Sequence, residues 1–264
     1  MSIQVAGANQ SGLEYLPNPG RYSGWGKLSM SAWLFFGGAV GTSSGRILNK
    51  SNGSTGDDFS LTIRGPGFDR FMVFRLTTSS TTTFITTKTI PSFVWTHVLA
   101  AYSGADMAVY VDGVRIDSGQ AKTGTVADTG NTIGLGSHPD SSLRWYRGGI
   151  AEAAIWADVD LSHANSTSKL NEIQAMVNGA PADQIRPDGL VFYVSGRHGL
   201  DEEKFDQFQN IQSGGGVTMF PPPPVKYPVR KRYFFVPAVV ATTVGSQAGR
   251  MISPGMVLPA AVAY

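Results

Sequence analysis

The stretch SFVWTHVLAAYSGADMAVYVDGVRIDSG, residues 92–119, limits the fold more than any other part of the chain. Its side chains alternate. Trp95, His97, Leu99 and Ala101 fall on one side of an extended backbone, and Val98, Ala100 and Tyr102 fall on the other. That period of two belongs to a β-strand. SGAD then reads as a tight turn, MAVYVDG as a second strand, and Asp112-Gly113 as the two-residue turn of a hairpin.

The same texture recurs on both sides. LEYL (13–16), LSMSAWLFFGG (28–38), RILNKS, DDFSLTIRG and RFMVFRLTT precede it as strands. NTIGLGS, GGIAEAAIWAD and DGLVFYVSG (188–196) follow it. TTSSTTTFITTKT is β-branched and polar on both faces, as an exposed edge strand or hairpin would be. Strands at roughly ten-residue spacing with turn residues between them predict an all-β fold. The expected architecture is a two-sheet antiparallel jelly-roll sandwich. Thirty-two glycines and a charged fraction of only 15% fit that class. One helix is expected in STSKLNEIQAMVNGAPADQ. Leu170, Ile173, Met176 and Val177 form its apolar stripe, Ser166 or Ser168 caps its start, and Gly179 stands at C′ with Pro181 beyond.

The chain has 264 residues and no cysteine, which excludes disulfides and thiolate metal sites. MSIQVAGANQSG has neither a basic nor an apolar signal region, so no signal peptide is expected. No stretch supplies the ~18 uninterrupted apolar residues of a membrane helix. After Gly199 the texture changes. DEEKFDQFQNIQ is polar, SGGG reads as a hinge, and PPPP at 221–224 reads as a stiff spacer. The expected division is a sandwich over 1–200, a polar segment and hinge over 201–224, and an extended arm over 225–264. The net charge is +2, and no acidic residue follows Asp206. Lys226, Arg230, Lys231, Arg232 and Arg250 put +5 in that last part, which leaves −3 for the rest.

WTHVLAAYSGADMAVYVDGVRID resembles the laminin G-like branch of the concanavalin A-like lectin/glucanase superfamily. The pattern is carried by Trp95, His97, Val98, Tyr102, Gly104, Tyr110, Val111, Asp112 and Gly113. YRGGIAEAAIWADVDLS and LNEIQAMVNG resemble the family's closing strand and short helix, through Gly149, Ile150, Glu152, Leu161, Ser162, Glu172 and Ile173. SMSAWLFF is similar to its early inner strand. Two departures stand out: Ala151 occupies the place of the family's usual Asp before Glu, and HANSTSK looks inserted before the helix. The resemblance spans about residues 13–195 and implies a jelly roll. The family includes adhesion modules, lectins, hydrolases and viral structural proteins, so the fold alone leaves function open.

Hydrolases of this superfamily present carboxylates in an E-x-D-x-x-E pattern, because glycoside hydrolysis needs a pair at a defined separation. The pattern is absent, and Glu152 stands alone on its strand. Asp201, Glu202, Glu203 and Asp206 read as a solvated run. No catalytic residue is assigned. His97, His138, His163 and His198 lack metal-ligand spacing, and His97 reads as a structural, hydrogen-bonded core residue. Asp57, Asp58, Asp112, Asp117 and Asp140 read as loop residues within reach of a calcium ion. Calcium needs six or more converging oxygens, so no metal or other cofactor is assigned. Trp25, Trp145 and Tyr146 lie in loop-like contexts and are the candidate glycan platforms, whereas Trp33, Trp95 and Trp156 read as core.

The arm supplies the remaining candidates. Arg230, Lys231 and Arg232 precede Tyr233, Phe234 and Phe235, and Pro237, Pro254 and Pro259 forbid a long helix. An uncovered apolar run of this size would aggregate, so a protein surface is expected to cover it. Arg230–Arg232 form too small a footprint to predict nucleic-acid binding. A laminin G-like body with such a tail resembles bacteriophage virion proteins. The leading expectation is a non-enzymatic virion component of the capsid-decoration type, assembled in the host cytoplasm. It would bind a major capsid protein and further copies of itself through residues 230–235. The alternative is a lectin-like receptor-recognition module of a phage fibre or tail.

Overall fold

The computed structural model describes residues 3–5, 12–15, 24–37, 45–51, 56–65, 70–116, 119–136, 146–162, 167–195, 208–212 and 224–225. The chain divides into two units, Met1–Tyr227 and Pro228–Tyr264, and every described residue lies in the first. The expected cap Ser166 and the binding residues Arg230, Lys231, Arg232, Tyr233, Phe234 and Phe235 lie outside the described residues.

The strands are β1 (Ile3–Val5), β2 (Gly12–Tyr15), β3 (Leu28–Phe36), β4 (Gly45–Ser51), β5 (Asp57–Arg64), β6 (Phe71–Thr77), β7 (Thr81–Thr89), β8 (Trp95–Tyr102), β9 (Asp106–Val111), β10 (Val114–Arg115), β11 (Gln120–Ala121), β12 (Thr132–Leu135) and β13 (Gly148–Ala157). Helix α1 (Thr167–Val177), a 3-10 turn (Ala182–Gln184), β14 (Leu190–Val194) and β15 (Phe208–Gln212) follow. All pairings among the described residues are antiparallel. The first sheet runs β1-β13-β3-β8-β9-β10, with β14 also on β13 and β11 also on β9. The second runs β15-β2-β12-β4-β5-β6-β7. The Thr-rich strand β7 ends that sheet, as its two polar faces predict. Strand β15 pairs with β2 and carries the sandwich past residue 200, where the sequence places its end.

Alternation builds the core. Leu28, Met30, Ala32, Leu34 and Phe36 of β3 and Val98, Ala100 and Tyr102 of β8 point between the sheets. There they meet Leu48, Phe59, Leu61, Ile63, Phe74 and Leu76 from the opposite sheet. Each fully buried large apolar side chain contributes ~1.5–3 kcal/mol. The other face of the first sheet carries a second core. Leu99, Ala101, Tyr110, Ala154 and Trp156 pack there against Ile173 and Met176 of α1 and Leu190 and Tyr193 of β14.

The helix ends as its sequence predicts. Gly179, at φ +95°, donates to Met176 O, and Ala180 donates to Ala175 O at 2.8 Å. This double bond pattern is the Schellman stop, for which glycine supplies the left-handed residue. In the hairpin turn Asp112 and Gly113 both have positive φ, 49° and 78°, as a two-residue turn matched to strand twist requires.

Gly148 opens β13 opposite Phe36. A Cβ there would stand 1.9 Å from the Phe35 carbonyl oxygen. Gly148→Ala is therefore expected to destabilise the fold by roughly 1–3 kcal/mol, the usual cost of overpacking. Urea unfolding at neutral pH measures it, and an unchanged midpoint would show that β3 and β13 can part at no cost.

Candidate functional site

Strands β3 and β8 pair in a register that sets Ser31 beside Leu99, Trp33 beside His97, and Phe35 beside Trp95. These side chains share the face that leads away from the helix-covered core. The Trp33 ring meets the His97 ring edge-on at 5.4 Å. Half-buried Phe35 and Trp95 lie 5.6 Å apart, centroid to centroid, at 53°. Phe93 adds a third ring, 6.4 Å from Phe35 at 71°. It is 61% exposed, and its neighbour Val94 is 54% exposed. The row thus runs from buried to open: Trp33, then Phe35 with Trp95, then Phe93.

The exposed ring is firmly held. Phe93 sits at φ +59°, a left-handed conformation that is unusual for a bulky residue. Its N–H donates to Phe36 O at 2.8 Å. One residue earlier, Ser92 Oγ accepts a hydrogen bond from Arg70 Nη1. Arg70 is fully buried, and its guanidinium carbon stands 3.5 Å from the centre of the Phe36 ring. The Ile90 N–H donates to Arg70 O at 2.9 Å.

The sequence candidates fall elsewhere. Trp25 is only 5% exposed and stacks on Phe59 at 6.2 Å, within the core between the sheets. Tyr146 is fully buried, edge-on to Phe36 at 5.8 Å, and burial pushes its phenol up. Neither offers a platform to solvent, because in each case the ring is spent on filling space behind a loop. Trp145 lies outside the described residues. Trp156 and Trp33 are buried as expected, whereas Trp95 is half-buried and belongs to the open row. A signal for Phe93 was present in the sequence: Phe93, Val94 and Trp95 are three consecutive large apolar residues, and an extended backbone cannot turn all three inward.

Among the described residues, Glu152, Asp57, Asp58 and Asp112 are committed to structure. Glu152 sits at φ +52° in a bulge of β13, buried, and Tyr193 Oη donates to both of its oxygens at 2.9 and 2.8 Å. The Ala182 N–H donates to it at 2.8 Å. Glu152 thus pins β14 and the 3-10 turn to β13. Asp57 and Asp58 belong to β5 and are paired with cations, which corrects their reading as loop residues open to calcium. Asp57 meets Arg46 Nη1 at 2.8 Å and Arg75 Nη1 at 3.0 Å. Burial opposes its ionisation, but the attraction and hydrogen bond of Arg46, with help from Arg75, hold the carboxyl below its usual range. Lys50 Nζ lies 2.6 Å from both Asp58 and Asp128. Asp112 Oδ1 accepts the His97 N–H at 2.9 Å. Asp117, Asp140, His138, His163 and His198 lie outside the described residues. Among the described residues no three His, Asp or Glu side chains group as metal ligands.

Two face-to-face antiparallel sheets, with a short helix on one outer face, place the protein in the class of jelly-roll sandwiches. Residues 11–165 match the family model of the concanavalin A-like lectin/glucanases superfamily, and the chain belongs to that superfamily. Similar solved structures include a candidate carbohydrate-binding protein of Bacteroides ovatus ATCC 8483. It is 16% identical, with TM-score 0.53, over 76% of this chain and 54% of that one. The enzymatically active domain of tailspike protein 2 of bacteriophage CBA120 is 14% identical, with TM-score 0.50, over 75% and 30%. The heptameric SAP-like pentraxin of Limulus polyphemus is 14% identical, with TM-score 0.49, over 66% and 80%. At these identities the likeness is one of fold. A search of curated protein sequences found no match.

His97 gives a testable electrostatic signature. Its Nε2 lies 3.0 Å from Ser31 Oγ, and burial drives its pKa down to about 3. An unfolded chain takes up a proton near the ordinary value of 6.5, whereas the folded chain does not until about pH 3. The contribution to stability is therefore full above pH 6.5 and falls as pH drops toward 3, by roughly 1.4 kcal/mol per unit. Urea unfolding across pH 7 to 4 is expected to show this slope in the wild type and a shallower one in His97→Gln.

Proposed function

We propose that the sandwich is a non-catalytic carbohydrate-binding module whose ring row, Phe93, Phe35 and Trp95, stacks on the apolar face of a sugar. The observation that carries the reading is the exposure of Phe93 at the end of the row, on a backbone fixed by the Phe36 carbonyl. Folding by itself gains nothing from a ring left 61% in water. An aromatic face that is rigid before a ligand arrives loses little freedom on binding. Stacking also explains why the rings occupy a sheet end clear of the helix that covers the rest of that face. Membership of a superfamily of lectins and glucanases, and the naming of the Bacteroides ovatus protein for carbohydrate binding, support the choice of ligand. Commitment of Glu152 to Tyr193 and Ala182 supports binding over hydrolysis. A glycan array followed by calorimetry on the hit is the direct test. Phe93→Ala is expected to weaken binding about tenfold with an unchanged unfolding midpoint, the order of one aromatic contact. Full affinity in that variant would remove the row from the site.

A second reading concerns the arm. The cations Arg230–Arg232 and the apolar run that follows favour an anchor to neighbouring subunits, by strand addition or groove filling. In a virion, with a major capsid protein or further copies of this chain as neighbours, many such anchors would add avidity. The two readings are compatible: an anchored arm and a sugar-reading sandwich describe a fibre or tail module. Deletion of residues 228–264 is expected to leave glycan binding intact and abolish incorporation into the assembly, read by sedimentation of the particles. Normal incorporation of the shortened protein would overturn the anchor.

A further inference from the structure

We infer that Arg70 is a positioning residue for the exposed ring: through Ser92 it sets the backbone that presents Phe93. The inference rests on the reading of the ring row as a binding site, and it names what makes that site rigid. Three ties meet in the short segment from Ile90 to Val94. The Ile90 N–H bonds the Arg70 carbonyl, the Arg70 guanidinium bonds Ser92 Oγ, and the Phe93 N–H bonds the Phe36 carbonyl. Arg70 reaches the middle of this set from its place just before β6, a strand of the other sheet. It is steered there by stacking on Phe36, whose own carbonyl receives the Phe93 N–H. Phe36 in turn is held edge-on by Tyr146.

Arginine suits this place chemically. Its planar guanidinium can lie on an aromatic face and still direct N–H groups sideways to a hydroxyl, which a lysine ammonium cannot do from the same position. The left-handed φ of Phe93 would relax if the segment were free to do so, because a non-glycine residue pays for that conformation. The hydrogen bond to Ser92 removes that freedom one residue before the strained position. A ligand that stacks on Phe93 therefore finds the ring already in place, and the affinity carries the contribution of Arg70 although Arg70 is buried beneath the surface.

The test combines amide exchange with a double-mutant cycle on the full chain, using the best glycan from the array as ligand. Arg70→Met and Ser92→Ala are each expected to speed exchange of the Phe93 amide at least tenfold. The Val126 amide, bonded to Trp25 O at 2.8 Å, should keep its rate in both. Both variants should bind the glycan several-fold more weakly. In a Phe93→Ala background neither should weaken it further, since a residue acting through another has nothing left to act on. Ser92→Ala keeps the stacked arginine, so it serves if Arg70→Met does not fold. Unchanged exchange at Phe93 in the folded variants overturns the inference, and so do losses that multiply with Phe93→Ala. If the wild type binds no glycan but Phe93 still loses protection, the positioning role stands and the carbohydrate reading fails.

Discussion

The pairing of β3 with β8 is the constraint on which the rest of the molecule depends. Eight consecutive residue pairs, from Leu28 with Tyr102 to Phe35 with Trp95, fix which side chains enter the space between the sheets. A slip of one residue would exchange the faces. A slipped β8 would turn Trp95, His97 and Leu99 into the inter-sheet core, and Val98, Ala100 and Tyr102 toward the helix or water. The register thus sorts two apolar sets in one operation. One closes the sandwich, and the other is divided between a helix seat and an open aromatic row.

Charge is handled differently in the two sheets. In the second, Arg46, Lys50, Asp57 and Asp58 are buried within a few residues of each other on β4 and β5. Pairs of this kind recover little net stability over apolar residues of equal size, because each ion gives up its hydration. They are strict about partners, since a strand set one position off would strand a buried charge. Strand β5 meets β4 across two register shifts, so pairing by apolar pattern alone would be ambiguous there. The ion pairs add a charge-matching constraint to that register. In the first sheet the corresponding feature is Glu152, a buried carboxylate whose partners are a phenol and a backbone amide.

Periodicity made the fold legible. The alternation in 92–119, the Asp112-Gly113 turn and the Gly179 stop each depend on residues near in sequence, and the structure carries all three. Polar edge strand β7 was legible for the same reason. The proposed binding surface was legible only in part, in the run Phe93, Val94 and Trp95. Whether Trp25 or Phe93 faces water depends on what lies across from it: Phe59 of β5 covers Trp25, while Phe93, at a left-handed φ, stays exposed. The first depends on a distant strand, and the second on the ties that hold Ile90 to Val94. Tyr146 and Arg70 illustrate the same limit, since a loop aromatic and a cation just before β6 both end up buried against one phenylalanine 34 or more positions away. Strand β15 was hidden because DEEKFDQFQNIQ has the composition of a solvated segment, and only its pairing with β2 makes it a strand.

Gly113 serves two ends at once. It makes the reversal between β9 and β10, and it is also where the helix lands: a Cβ there would lie 2.3 Å from the Gln174 side-chain nitrogen, an atom 3.5 Å from the Gly113 carbonyl. The turn closes among immediate neighbours, whereas the contact with Gln174 spans 61 positions along the chain. The helix seat thus takes in the hairpin turn as well as the apolar face made by β8, β9, β13 and β14. A local chain reversal and a contact between distant segments therefore share one residue, so a side chain at this position would disturb both at once.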